Sequence, residues 1–385
     1  MTHKLYDIDS HIKNFEATVL SCEKKGKTWE VILDRTAFFP EAGGQMADIG
    51  SMDEARVTDV QEQGTQIIHF TNKPVEVGKT VECELDWEVR FRKMQNHTGE
   101  HIISGIAHRL HGANNVGFHL SEDDVTLDFD CELTREQLNY IEYLANVEVS
   151  RDLEVTAEYP APEALAEMEY RSKLDLTENV RIVTIGDCDR CACCAPHVKR
   201  TGEVGLIKLL DFARHKGGVR IHMQCGLDAL DDYREKYTNI QSISAQLSAK
   251  QHETAAAVER FMREMEQQKK AYTAMTEKYI ALKLSTLDRS QKNLCIFEEN
   301  MDAIAMRGMV NGMMTMTDGI CGAFCSRPDG GWSYIIGSSS VPLRAKAKDI
   351  NARLSGKGGG TDEMIQGSVA CTREAIEEYF SLETM

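Results

Sequence analysis

Asn96-His97-Thr98-Gly99-Glu100-His101 sets two imidazoles four residues apart. Met94 before them and Ile102, Ile103, Ile106 and Ala107 after them have helical spacing. The stretch is therefore predicted to be a helix with His97 and His101 one above the other on a single face. That geometry suits two ligands of one divalent ion. Further along, Cys193-Cys194-Ala195-Pro196-His197 supplies a thiol and an imidazole at the same separation. His97, His101, Cys193 and His197 make a borderline-soft nitrogen and sulfur set, for which zinc is the fitting ion. The first pair alone reads equally well as two polar residues on a helix. The second pair, in a run of four cysteines, tips the reading toward a metal.

Four protein ligands close a tetrahedron, as in structural sites, whereas a catalytic site keeps one position open. Both possibilities stand at the level of sequence. His97-Thr98-Gly99-Glu100-His101 also fits the His-x-x-Glu-His pattern of inverted zinc peptidases, with Glu100 as general base and a distant Glu as third ligand. A metallopeptidase reading leaves Cys193 and His197 without a role. Cys188, Cys191 and Cys194 contain one Cys-x2-Cys with no second pair at zinc-ribbon distance, so they read as packing or bystander thiols.

The 385 residues are enough for two or three domains with cores of their own. No apolar run reaches the length of a bilayer span, and the N-terminus has no apolar h-region. Twelve cysteines without a secretory signal predict a reducing, cytoplasmic setting with thiols free or metal-bound. The net charge, 44 − 61 = −17, argues against nucleic acid on its face. Local patches decide such binding, however.

Residues 1–92 read as β-rich. Phe15–Leu20 and Trp29–Leu33 alternate and flank the turn-like Lys24-Lys25-Gly26-Lys27, and short strands fit Thr65–Phe70 and Thr80–Leu85. Several short strands at close spacing predict a small barrel. Between them, Asp34–Gln45 holds Phe38-Phe39-Pro40 and Gly43-Gly44, a loop whose backbone can approach a ligand closely. From about residue 93 the period turns helical. Short strands, a helix over Thr134–Ser150 capped by Thr134 and Gln137, and further strands to Met223 give residues 93–228 an α+β character. Residues 229–285 carry apolar positions on a 3/4 grid, among them Tyr237, Val258, Phe261, Met265, Tyr272 and Leu282. They predict one long helix, or two that break near Gln251–Thr254, serving as a spacer or a dimerisation arm. Residues 286–385 mix strands and helices.

Two basic stretches bear on a polyanionic partner. One joins Arg344, Lys346, Lys348, Arg353 and Lys357 to Gly358-Gly359-Gly360. It lacks the spacing of a nucleotide phosphate loop and suits a polynucleotide backbone better, though a solvated basic face with a flexible glycine loop explains it equally well. The other is Lys199, Arg200, Lys208, Arg214, Lys216 and Arg220, directly after His197.

Three stretches in order resemble one family. Asp34–Gly50 resembles its D-x-T-x-F-Y-P-E-G-G-G-Q-x-x-D-x-G loop. Asn96–His101 matches its N-H-T-x-x-H, and Cys193–Gly205 its C-x-x-x-H-V-x-x-T-G-E-x-G. Gly356–Gly367 is similar to the glycine-rich element of its C-terminal domain. The family is that of the stand-alone alanyl-tRNA editing proteins in their long form, which are similar to the editing and C-terminal domains of alanyl-tRNA synthetase. The likeness spans essentially the whole chain. Phe39 stands where Tyr is usual, Ala42 replaces a glycine, and Cys194-Ala195-Pro196 replaces a Gly/Thr-containing spacer.

The resemblance implies a zinc-dependent hydrolase that removes serine, and perhaps glycine, from mischarged tRNA-Ala. Thr36 would bond the serine hydroxyl, Gln45 would be its polar loop partner, and Glu100 would assist proton transfer. A non-catalytic zinc-stabilised tRNA-binding module is the second reading. The expected architecture is an N-terminal β-barrel (1–92), a zinc-bearing α+β editing domain (93–228), a helical arm or coiled coil through which two copies could pair (229–285), and a small C-terminal α/β nucleic-acid-binding domain (286–385).

Overall fold

The structure is a computed structural model that describes residues 2–121, 124–172, 179–328 and 330–382. The chain is α+β and divides into two compact units, Met1–Ser242 and Ile243–Met385.

In the first unit the short strand β1 (His3–Lys4) precedes β2 (Asn14–Lys25) and β3 (Thr28–Leu33). Then come β4 (Arg35–Thr36), β5 (Gly50–Met52), β6 (Ala55–Gln63), β7 (Gln66–Thr71) and β8 (Thr80–Leu85). Strands β2-β3-β7-β6-β5-β8 close into a barrel, and β1 pairs with β4 in parallel beside it. Alternation places Val19, Val31, Leu33, Val57, Val60, Ile67 and Val81 in the barrel core, together with Phe38 and Phe39 of the following loop. The β2–β3 turn falls at Gly26, whose φ of 65° favours glycine.

Helix α1 (Trp87–His111) leaves the barrel earlier than the change of period at residue 93 suggested. It is buried along most of its length and ends on Gly112 in the left-handed conformation. Strands β9 (Asn115–Leu120) and β10 (Val125–Phe129) and helix α2 (Arg135–Ser150) follow. Thr134 and Gln137 form the reciprocal N-terminal cap of α2. Next are β11 (Val155–Glu158), the short α3 (Pro162–Glu167), β12 (Ile182–Ile185), β13 (Asp189–Ala192), β14 (Ile207–His215) and β15 (Gly218–Cys225). They build two antiparallel sheets, β14-β15-β10-β9 and β11-β12-β13. Their core joins Ile102, Ile103, Ile106, Leu127, Phe129, Ile141, Val183, Ile185, Val204, Ile207 and Ile221. The barrel and this layer thus have separate cores, and Cys193 packs against both.

Helix α4 (Gly226–Leu247) stops at Ser248, a non-glycine residue at φ 48°, and α5 (Thr254–Ser285) begins after one short 3-10 turn. The periodic stretch is therefore two helices, with the break slightly ahead of Gln251. In the second unit α5 is followed by β16 (Leu294–Glu298), α6 (Ala303–Met314), β17 (Cys321–Ser326) and β18 (Trp332–Gly337). After these come α7 (Leu343–Arg353), β19 (Gly356–Gly360), β20 (Met364–Val369) and α8 (Arg373–Leu382). The sheet order is β16-β17-β18-β20-β19. The glycine run 356–360 is thus an edge strand and not a flexible loop. Glycine is favoured there because a Cβ on Gly358 would stand 2.5 Å from the Gln366 carbonyl oxygen, a backbone atom, as well as 2.2 Å from the Tyr334 hydroxyl. No helix among the described residues is long and apolar enough to cross a membrane.

Candidate active site

The side chains of His97, His101, Cys193 and His197 come together, with their candidate ligand atoms within 4.8 Å of one another. Helix α1 supplies the first two from one face, as their spacing requires. The loop after β13 supplies the other two. That loop is fixed by Arg181, whose guanidinium donates to the carbonyls of Cys193 (3.0 Å) and Ala195 (2.9 Å).

Each imidazole has its Nδ1 engaged by a protein oxygen. His97 Nδ1–H donates to Gln45 Oε1 at 2.8 Å and His101 Nδ1–H to Asp189 Oδ2 at 3.1 Å, while His197 Nδ1 lies 3.0 Å from the Thr98 hydroxyl, which can donate or accept. The bonds to Gln45 and Asp189 keep a proton on Nδ1 of His97 and His101, so that a neutral ring at either position presents Nε2 as its lone pair. Cys193 Sγ lies 3.5 Å from the Nε2 atoms of both His97 and His197. Burial alone would push the Cys193 thiol up. The charge of His97 and hydrogen bonds from His101, His197 and His97 outweigh it and hold the thiol well below its usual range. Burial holds His197 neutral, down to about 3. A cation that displaced those Nε2 protons would meet one thiolate and three imidazole nitrogens, the donor set a divalent, borderline-soft ion takes, so the four residues fit such an ion.

Asp189 is itself clamped by Arg171, whose Nε and Nη2 donate to its two oxygens at 2.7 and 2.8 Å. Gly105 makes that approach possible: a Cβ there would meet Cys188 O at 2.7 Å and Asp189 Cβ at 2.8 Å. Gly44 has a comparable task. It lies at φ 84°, and a Cβ would stand 2.3 Å from Phe118 O, so only glycine lets the Gln45 loop close onto β9. The same loop is anchored on α1 by the buried Arg90–Asp48 pair at 2.9 Å.

Glu100 is buried beside the cluster. Its Oε1 accepts from Ser104 Oγ at 2.5 Å and from Asn115 Nδ2, while Oε2 stands 3.9 Å from His101 Nε2. A hollow of 300 Å³ opens onto these groups, lined by His97, Glu100, His101 and Cys193 with Arg171 and Arg181.

The structure thus gathers His97, His101, Cys193, His197, Gln45 and Glu100. Gln45 meets the cluster through His97 and is fully buried. Thr36 is also fully buried. Its hydroxyl lies 2.8 Å from Nε2 of His69 and accepts from the Phe38 N–H. Phe39 stacks edge-on against Tyr6 in the barrel core. Arg344, Lys348, Arg353 and Lys357 are exposed on α7 and β19 together with Gly358, Gly359 and Gly360, and Lys346 is half-buried. In the other basic stretch, Lys199, Arg200, Lys208, Arg214 and Arg220 are each paired with a carboxylate, which leaves little free charge for phosphate. Asp189, Arg171 and Thr98 escaped the sequence reading. The signal for Asp189 was the general need of a metal-bound imidazole for a carboxylate partner. Cys191 lies within the same reach of His101 and Asp189, but Asp189 is already committed to Arg171.

Comparison with known proteins gives two family matches. Residues 6–89 match the class II (A) tRNA synthetases, and residues 180–222 match the threonyl and alanyl tRNA synthetase second additional domain. The alanyl-tRNA editing protein AlaX-L of Pyrococcus horikoshii is 33% identical over 245 residues, 61% of this chain and 61% of that protein. The alanine–tRNA ligase of Pyrococcus abyssi is 30% identical over 413 aligned positions, 99% of this chain and 44% of the ligase. That of Thermococcus kodakarensis is 34% identical over 285 residues, 70% of this chain and 30% of the ligase. The chain therefore spans 61% of the length of the editing protein and less than half of these ligases.

Proposed function

The chain is a relative of the alanyl-tRNA editing proteins, similar also to alanine–tRNA ligases, and we propose that it hydrolyses the ester of mischarged tRNA-Ala at the His97, His101, Cys193, His197 centre. The observation that carries this reading is the convergence of three imidazoles and one thiol beside a carboxylate, with His97, His101, Cys193 and Glu100 lining a hollow. We assign the ion as zinc, from the donor set. When bound, zinc polarises an ester carbonyl and lowers the pKa of a coordinated water to about 7.

The protein's own groups supply the rest. Gln45, Asp189 and Thr98 hold the three imidazoles in place. Glu100 stands beside the cluster, one oxygen 3.9 Å from His101 Nε2, and is the carboxylate placed to take a proton from the attacking water. Thr36 is the group for the serine hydroxyl. Its oxygen donates to His69 and accepts from Phe38, and one lone pair remains for a substrate O–H. Thr36 is fully buried and does not line the 300 Å³ hollow, so a hydroxyl-bearing acyl group that reached it would meet a partner there and alanine would not, the discrimination an alanine-shaped synthetase pocket cannot make alone. Hydrolysis of a glycine ester does not follow from this contact. In the second unit, Arg344, Lys346, Lys348, Arg353 and Lys357 around the glycine edge strand form the surface for tRNA. The exposed Phe261, Met262, Met265 and Met275 of α5 suit pairing with a second copy.

The four-ligand set also favours a second reading, a closed structural zinc in a non-catalytic tRNA-binding module. The peptidase reading expects a distant Glu as third ligand, whereas Cys193 and His197 complete this cluster. One experiment separates these readings. Serine-charged and alanine-charged tRNA-Ala are incubated with the wild type and with Cys193→Ala at measured zinc content. Release of serine but not alanine, lost in the variant, is the expected result. Tight tRNA binding with no release of either amino acid would make the zinc structural.

A further inference from the structure

Three hollows follow one another along the 168–172 segment. The 300 Å³ hollow at the metal cluster shares Arg171, Ser172 and Cys191 with a second of 230 Å³. That one shares His108, Tyr170 and Arg171 with an open groove of 580 Å³. At the far end the groove is lined by Arg109 and Arg190, both exposed.

These two arginines stand apart from the others. Every other arginine in residues 2–242 lies within 4.0 Å of a carboxylate. Among the described residues Arg109 and Arg190 have no such partner, and both line the same groove. Arg109 occupies the last turn of α1, where the helix dipole favours a cation. That accounts for one charge but not for Arg190 on β13. The groove also contains carboxylates. Asp187 is paired with Arg151 and Asp189 with Arg171, which leaves Glu169 against the two free guanidiniums. In a chain of net charge −17, two arginines without a carboxylate partner in one groove offer a polyanion a place to dock on the first unit.

We propose that the three hollows are the path of the single-stranded 3′ end of an RNA, with Arg109 and Arg190 holding its phosphodiesters and Tyr170 offering a ring to a base. The direction rests on the deacylase reading: the esterified terminal ribose sits at the metal centre and the preceding nucleotides lead away past Tyr170. Guanidiniums suit phosphate oxygens through paired N–H donors, and an aromatic ring accepts any base without sequence preference.

The test uses the full, metal-loaded chain and an uncharged RNA hairpin with a single-stranded 3′ tail, beside the same hairpin with a blunt end. Binding is measured against salt for the wild type, the R109A/R190A variant and the R109K/R190K variant. Two lost contacts to a single strand should lower the slope of log K against log salt by about 1.4, which is about 25-fold in affinity at 0.1 M salt. The tailed hairpin should show this loss, the blunt one should not, and the lysine pair should restore much of it. Hydrolysis of 3′-seryl-adenosine, which has no upstream phosphate, should be unchanged. The proposal is overturned if the alanine pair binds the tailed hairpin as the wild type does. It is equally overturned if the loss is the same on the blunt hairpin, or if seryl-adenosine hydrolysis falls in step. If the wild type hydrolyses no ester yet the tail-dependent loss appears, the deacylase reading fails and the RNA path stands.

Discussion

Asp189 shows how much of the centre depends on a residue outside the four that cluster. It accepts from His101 and is gripped by Arg171, so it fixes a ring and raises the basicity of its Nε2. Asp189→Asn should weaken metal affinity about 10- to 100-fold, read by competition with a chelator; unchanged affinity would mean His101 is held by packing alone. His69 offers a test away from the metal. Burial lowers it from 6.5 to about 4, although its bond to the Val31 carbonyl opposes the shift. The unfolded chain therefore binds a proton that the folded chain does not between these values. Stability is complete above pH 6.5 and falls as pH drops toward 4, by about 3 kcal/mol in all. Denaturant unfolding of His69→Gln across this window should show a slope shallower by up to about 1.4 kcal/mol per pH unit. The four clustered residues could be read from the sequence because metal chemistry admits few residue types at few spacings. Asp189, Arg171, Arg109 and Arg190 could not, since packing between distant segments brings them together and leaves no local period.

At the level of elements, the site depends on how closely β13 lies on α1. Gly105 sets that distance. Gly105→Ala would gain about 1 kcal/mol in helix propensity but meets the Cys188 carbonyl, a backbone atom that cannot swing aside. Overpacking of this kind costs about 1–3 kcal/mol. The variant should be less stable in urea and bind metal more weakly, because Asp189 is displaced from His101. Equal stability with unaltered metal content would show that the strand shifts freely. The barrel strands and the cap of α2 were legible from alternation and from the Thr134–Gln137 spacing. The glycine run at 356–360 was not. Its composition signals a loop, yet contact with Tyr334 and pairing with β20 make it a strand, and no propensity scale contains that contact.

Across the whole molecule, the acidity and the proposed RNA binding would be reconciled by where the cations are left without a carboxylate. A sequence count sees six basic residues after His197, yet carboxylates neutralise five of them. One fragment test follows. A chain ending at Leu247 retains the barrel core, the α+β core and all four candidate ligands. It should bind zinc and hydrolyse seryl-adenosine at the full-length rate, while its KM for charged tRNA rises; loss of zinc binding would show that the second unit supports the first. Cys193 touches both cores, and Ala195, two residues on, belongs to the barrel core, while His97 and His101 belong to the helix that crosses the other. An ion held by this set joins two hydrophobic bodies that share few side chains, so its binding energy becomes coupling energy between them. Calorimetry of the loaded chain should therefore show the barrel and the α+β layer melting in one transition, and removal of the ion should separate that transition into two.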